Sequence, residues 1–121
     1  ESSFARYARL FSNKGAQILM IQANDGWLGT SSGPHQHFSL AILRAIENRV
    51  PIVRSGNTGI SGVILPTGKV KQYKKIQSQA VFIEKILIHS DRSFYSKNGD
   101  FFAIICFVIF LFLGPVRCSK T

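Results

Sequence analysis

The stretch NDGWLGTSSGPHQHF, Asn24–Phe38, decides how this chain reads. It follows a short apolar run, ILMIQA (Ile18–Ala23), and it leads into a segment with helical periodicity. A run of that length and composition reads as a buried strand. Pro34 stands where a first helical turn tolerates a missing N–H, so a helix is expected from about His35 to Arg49. Its apolar face would be Phe38, Ala41, Ile42, Ala45 and Ile46. The strand thus ends in Asn24 and Asp25, followed at once by Gly26 and the chain's only Trp, Trp27. Polar groups and a large aromatic then stand at the carboxyl edge of a sheet, where ligands bind in α/β folds. The residues also admit a plainer reading, in which Asn24 and Asp25 bond to nearby backbone in a turn and Trp27 caps the core.

Working outward, Ser2 or Ser3 can cap a helix that begins near Phe4. Phe4, Tyr7, Ala8 and Phe11 share one face of it, and NKG ends it with Gly15 at the left-handed position. Downstream, Val50 before Pro51 stops the second helix. PIVRS (Pro51–Ser55) reads as a strand and GNTG (Gly56–Gly59) as a turn. ISGVIL (Ile60–Leu65) and VKQY (Val70–Tyr73) read as a hairpin around PTGK (Pro66–Lys69). AVFIEKILIH (Ala80–His89) has strand composition. The order helix, strand, helix, strand, hairpin, strand predicts an α/β layered domain.

The bulk numbers narrow the class. A chain of 121 residues makes one small domain, and 45% hydrophobic residues exclude a disordered polyelectrolyte. The net charge of +9 is scattered, and only KVKQYKK (Lys69–Lys75) is dense. No aromatic-interleaved motif accompanies the charge, so no nucleic-acid partner is expected. The chain begins with Glu1 and its only Met is Met20, so it reads as cut at its N-terminus.

The far end differs in kind. FFAIICFVIFLFLGPV (Phe101–Val116) carries no charge. Its length as a helix is roughly 24 Å, against about 30 Å for a bilayer core. With no polar face it reads as a transmembrane helix over 101–116 rather than as a core helix. Residues 93–100 then form a juxtamembrane linker and 117–121 a basic tail. Arg117 and Lys120 behind it, with only Lys97 close before it, favour a cytoplasmic C-terminus.

Familiar catalytic patterns are absent. His35 and His37 stand at i and i+2, a poor metal pair on a helix. Cys106 and Cys118 suit neither a disulfide framework nor a zinc site. GNTGISG lacks the Lys-Ser/Thr of a phosphate loop, and Ser31 and Ser32 lack a nucleophile-elbow setting. No metal and no cofactor are expected.

The motifs do, however, fall in a familiar series. NDGWLG, then GPHQHFSLAILRAIENRVPIVRSGNTGISGVILPTGKV, resembles the carbon–nitrogen hydrolase (nitrilase) superfamily. Its recurring run is N-D-x-W-[FL]-G, Q-H, R-A-x-E, P-x-x-R, N-T-G and P-x-G, present here in order from Asn24 to Val70. Within that superfamily, GPHQH and RSGNTGISGVILPTG are most similar to the apolipoprotein N-acyltransferases. SFYSKNGDFF (Ser93–Phe102) before an apolar run is similar to those enzymes' return into the membrane.

The resemblance implies the C-terminal part of a nitrilase-type α-β-β-α sandwich, residues 1–92, followed by the transmembrane helix. It implies a Glu–Lys–Cys triad with the Cys in C-[YF]-E. Glu1 matches the Glu of that motif as a supporting residue, so the triad would precede residue 1. Lys69 and Glu84 match no triad position, and Cys106 is no substitute, because a lipid-like setting disfavours its thiolate. Asn24, Asp25 and Trp27 would form a wall of the substrate site. The implied reaction is a ping-pong acyl transfer from a phospholipid donor to the N-terminal diacylglyceryl-cysteine of an apolipoprotein acceptor. It would occur at the bacterial inner membrane, with the catalytic domain on the periplasmic side. This chain alone is then expected to be inactive. A nitrilase-fold amidase and a non-enzymatic, tail-anchored basic module remain as other readings.

Overall fold

The computed structural model describes residues 3–81, 83–88 and 91–113. The described residues form α1 (Ala5–Asn13), β1 (Leu19–Asn24), α2 (Gly33–Asn48), β2 (Ile52–Asn57), β3 (Ser61–Ile64), β4 (Val70–Lys74), α3 (Phe94–Asn98) and α4 (Phe101–Leu113). The strands make one sheet in the order β1-β2-β3-β4. β1 runs parallel to β2, in register from Leu19 opposite Ile52 to Asn24 opposite Asn57. β2–β3 and β3–β4 are antiparallel, with an irregularity between Val63 and Ile64. A parallel pair needs a crossover, and α2 supplies it.

Hydrophobic periodicity places α2 on the sheet. Phe38, Ala41 and Ala45 pack against Ile52, Ile60 and Ile64, with Leu19, Ile21, Ile42 and Val70 around them. Burying an Ile of this kind contributes about 1.5–3 kcal/mol. Small residues let the layers close. A Cβ on Gly62 would lie 2.6 Å from the Gln72 carbonyl oxygen and 3.2 Å from the Phe38 ring. α2 ends where Arg49 turns left-handed at φ 53°, just before Val50 and Pro51. The predicted order from the first helix through the hairpin is observed, with bounds moved by one or two residues.

Three expectations change. Of the strand expected at Ala80–His89, residues 80, 81 and 83–88 form none, and residues 82 and 89 lie outside the described residues. The segment is tied to β4 by side chains instead of a backbone ladder. Gln72 Nε2 donates to Glu84 Oε2 at 2.9 Å, and Lys71 Nζ pairs with Glu84 Oε1. Val81 and Ile83 stay exposed. The apolar face expected on α1 is also open. Only Ala8 and Ser12 are buried, while Phe4, Tyr7 and Phe11 are exposed.

The third change concerns 93–116. The segment read as a linker contains α3, which is docked on α1. Ser96 is 0% exposed. Its carbonyl accepts from Arg9 Nε at 2.9 Å and Asn13 Nδ2 at 3.0 Å, and its hydroxyl donates to Asn13 Oδ1 at 3.1 Å. Ser93 caps α3, accepting from the Ser96 N–H at 2.9 Å. α4 follows, exposed along residues 101–112. Its 13 residues span about 20 Å at 1.5 Å each. Among the described residues no helix is long and apolar enough to cross a membrane. Residues 114–116 of the expected span, and the tail 117–121, lie outside the described residues.

Candidate functional site

β1 and β2 are parallel and end side by side, Asn24 opposite Asn57. The N-D-G-W turn and the N-T-G turn therefore share the carboxyl edge of the sheet. After β1 the chain makes a single 3-10 turn, Gly26–Leu28, with the Leu28 N–H donating to the Asp25 carbonyl at 2.9 Å. The Asn24 side-chain oxygen accepts from the Gly26 N–H at 3.3 Å. This is the local turn bonding expected of an Asn at a strand end. Trp27 does not cap the core. It is 81% exposed.

Asp25 turns the other way. It is 2% exposed, and both carboxylate oxygens are engaged. Arg54 Nη2 donates to Oδ2 at 2.7 Å, and His37 Nδ1 lies 2.8 Å from Oδ1. Arg54, on β2, is 1% exposed. Its Nε donates to the Ile60 carbonyl at 3.2 Å and its Nη1 to the His37 carbonyl at 3.4 Å. One guanidinium thereby ties the turn after β1, the start of α2 and the loop between β2 and β3. His37 Nδ1 also lies 3.1 Å from Arg54 Nη2. Nδ1 can donate to Asp25 as N–H or accept from Arg54 Nη2 as a bare nitrogen, but not both, and the contact to Asp25 is the shorter.

The N-T-G turn closes over this pair at contact distance. A Cβ on Gly59 would fall 2.3 Å from Asp25 Oδ2. A Cβ on Gly26 would meet the Thr58 hydroxyl at 3.0 Å. Beside the turn lies an open groove of about 790 Å³ bordered by Ser55, Asn57, Thr58, Ser61 and Gln77. The edge is polar and accessible, and its footing is a buried, charge-assisted network.

Of the residues picked from sequence, Asn24 and Trp27 stand at this edge, whereas Asp25 lies beneath it as a brace. Glu1 lies outside the described residues. Glu84 is at β4, paired with Lys71. Cys106 is an exposed free thiol on α4, and Cys118 lies outside the described residues. Sequence reasoning gave His37, Arg54 and Gly59 no individual role. The available signal was an Arg on the buried side of a short apolar strand, a residue type that is almost never buried without a partner. Among the described residues, no group of three or more His, Cys, Asp or Glu could hold a metal ion.

The carbon-nitrogen hydrolase family matches this chain over residues 1–86. Curated relatives of this chain include apolipoprotein N-acyltransferases. The apolipoprotein N-acyltransferase of Geobacter metallireducens is 38% identical over 106 residues, 88% of this chain and 20% of the relative. That of Rickettsia bellii is 37% identical over 123 residues, 99% of this chain and 24% of the relative. That of Bdellovibrio bacteriovorus is 36% identical over 118 residues, 96% of this chain and 21% of the relative. The chain spans about a fifth to a quarter of these relatives' length. A family match over 86 of the chain's residues, with its motifs meeting at one sheet edge, shows that the chain belongs to the carbon–nitrogen hydrolase family.

Proposed function

We propose that these residues form the C-terminal part of a membrane-bound N-acyltransferase that acts on apolipoproteins. One observation carries the reading. The family match ends at residue 86, yet the similarity to relatives named apolipoprotein N-acyltransferase continues, reaching 99% of the chain in one case. The shared part thus includes α3 and the apolar helix α4, which the hydrolase domain alone does not require.

In this reading a Cys thiolate outside residues 1–121 attacks the ester carbonyl of a phospholipid. The tetrahedral intermediate collapses, the lysophospholipid leaves as its alcohol, and the acyl chain stays on sulfur as a thioester. The α-amine of a diacylglyceryl-cysteine then attacks the thioester, forming the amide and returning the thiol. Dividing one difficult step into two easier ones is the usual gain of covalent catalysis. Glu1 supports the site beside the nucleophile, and Asn24 and Trp27 form part of its wall. The sheet is one layer of an α-β-β-α sandwich whose other sheet covers the face carrying Met20 and Gln22. α4 enters the lipid, the uncharged sequence continuing to Val116. The protein sits in a bacterial inner membrane, with the domain on the periplasmic side and the C-terminus in the cytoplasm.

The test uses the intact protein that contains these residues, extracted in detergent and mixed with phospholipid and a diacylated lipopeptide. A triacylated product is expected. Hydrolysis of a simple amide with no lipopeptide acylation would overturn the reading in favour of an amidase.

A further inference from the structure

We propose that Arg54 and His37 are positioning residues for this reaction, acting through Asp25 to hold the N-D-G-W turn and the N-T-G turn as one rigid wall. The inference rests on the acyltransferase reading for its kinetic part and on geometry alone for its structural part.

Other bonds hold each turn by itself: the Gln77 N–H donates to the Thr58 carbonyl at 3.1 Å, Ser61 Oγ accepts from the Gly56 N–H at 3.0 Å, and Asn24 Oδ1 accepts from the Gly26 N–H at 3.3 Å. The Gly26–Leu28 turn is a single 3-10 turn whose largest side chain, Trp27, is exposed. The N-T-G turn contains Thr58 at φ 57°, a left-handed conformation uncommon outside Gly, and Asn57 and Thr58 are both exposed. Beneath both lies the Asp25 carboxylate. Arg54 Nη2 holds one oxygen at 2.7 Å, and His37 Nδ1 lies at 2.8 Å from the other. The same guanidinium reaches the Ile60 carbonyl, directly after the N-T-G turn, at 3.2 Å. Gly59 lies against Asp25 so closely that a Cβ there would sit 2.3 Å from Oδ2. A shift of the Asp25 carboxylate therefore displaces both turns together. The planar fork of Arg54 suits this task, since it fixes direction as well as charge.

A buried pair of this kind has a bland explanation, that it only fills the core. The two roles separate in a double substitution. Removing one partner leaves a buried charge unpaired and destabilises, whereas replacing both with apolar residues of similar volume is often neutral for stability. The experiment compares the intact enzyme with Asp25→Leu/Arg54→Met. The expected double variant folds and melts below the wild type, because the Ile60 and His37 carbonyls lose their donors from Arg54. It exchanges the amide hydrogens of residues 26–28 and 58–60 faster. It transfers acyl groups with kcat/KM lowered about 100-fold, the scale of a misplacement near 1 Å. Exchange at these residues raised no more than elsewhere in the sheet, with wild-type transfer, would overturn the proposal.

If the double variant does not fold, His37 decides. His37→Asn keeps a donor near the Nδ1 position, and His37→Ala removes it. Faster exchange at 26–28 and 58–60 and slower transfer are expected in the Ala variant, with recovery in the Asn variant. Indifference of both measurements to the Ala variant would overturn the proposal. An enzyme that acylates no lipopeptide even as wild type would sink the acyltransferase reading, and the exchange comparison would still decide the coupling of the two turns.

Discussion

Asp25 has two carboxylate oxygens, one held by Arg54 and the other facing His37, and no room remains beside them. Gly59 is the residue that meets this crowding. It needs no special backbone angle; it needs the absence of a side chain, because a Cβ would lie 2.3 Å from Asp25 Oδ2. Gly59→Ala is therefore expected to push Asp25 off Arg54 or to lift the N-T-G turn. Overpacking of this kind costs about 1–3 kcal/mol. Thermal unfolding of the intact protein is the measurement, and a melting curve indistinguishable from wild type would remove the argument for close packing here. At this scale the sequence was only partly legible. Asn-Asp-Gly-Trp at the end of an apolar strand pointed to the carboxyl edge of the sheet. It did not reveal that Asp25 faces inward, because a side chain's direction in a turn depends on partners such as Arg54, 29 residues away.

The elements from α1 to the hairpin could be read from periodicity, Pro and Gly, since each has a local cause. The expected strand at Ala80–His89 could not. Its composition suits a strand, but β4, the edge strand beside it, meets this segment through its Lys71 and Gln72 side chains instead of a backbone ladder. The hydrogen bond from Lys71, with that from Gln72, holds the Glu84 carboxyl below its ordinary value of 4.5. A lowered carboxyl value stabilises the folded form above the ordinary value, and that contribution is lost as pH falls through the folded one. A titration of the Glu84 side chain by NMR should give a midpoint below 4.5, moving up in Lys71→Met; a wild-type midpoint at or above 4.5 would show that the tie is absent in solution. The helix α3 within the expected linker is not evident from sequence for a similar reason. Its short polar sequence looks unanchored until Arg9 and Asn13 of α1 reach the Ser96 carbonyl. Arg9→Ala removes the donors to the Ser96 and Lys97 carbonyls, at 2.9 and 3.1 Å. The Ser96 carbonyl keeps its bond from Asn13 Nδ2 at 3.0 Å and the Lys97 contact is exposed, so the loss is that of hydrogen bonds from a charged group, at most about 1.5–3 kcal/mol. Faster proteolytic cleavage within residues 93–100 is expected, and an unchanged cleavage rate would mean that α3 is held by packing alone.

For the whole molecule, the decisive matter is which chemistry 121 residues can carry. Nucleophilic catalysis by a thiol needs a thiolate within hydrogen-bond reach of a base that is itself held in place. Among the described residues the one cysteine is Cys106, an exposed thiol on the apolar helix α4, and it matches no position of the family's triad. The carboxylate at the sheet edge, Asp25, is buried and committed to Arg54 and His37, so it is poorly placed to serve as a base. Glu84 is engaged by Lys71 and Gln72. In the proposed reading the triad lies ahead of residue 1, and the described residues would supply a wall, its brace and an apolar helix. The exposed apolar face of α1, together with Met20 and α4, also makes the isolated chain prone to associate. Residues 1–121, purified in detergent and mixed with phospholipid and a diacylated lipopeptide, are therefore expected to yield no triacylated product. Turnover above the no-protein control that persists in Cys106→Ala/Cys118→Ala would require a nucleophile outside the family's pattern, and the assignment of site roles along this chain would then be wrong.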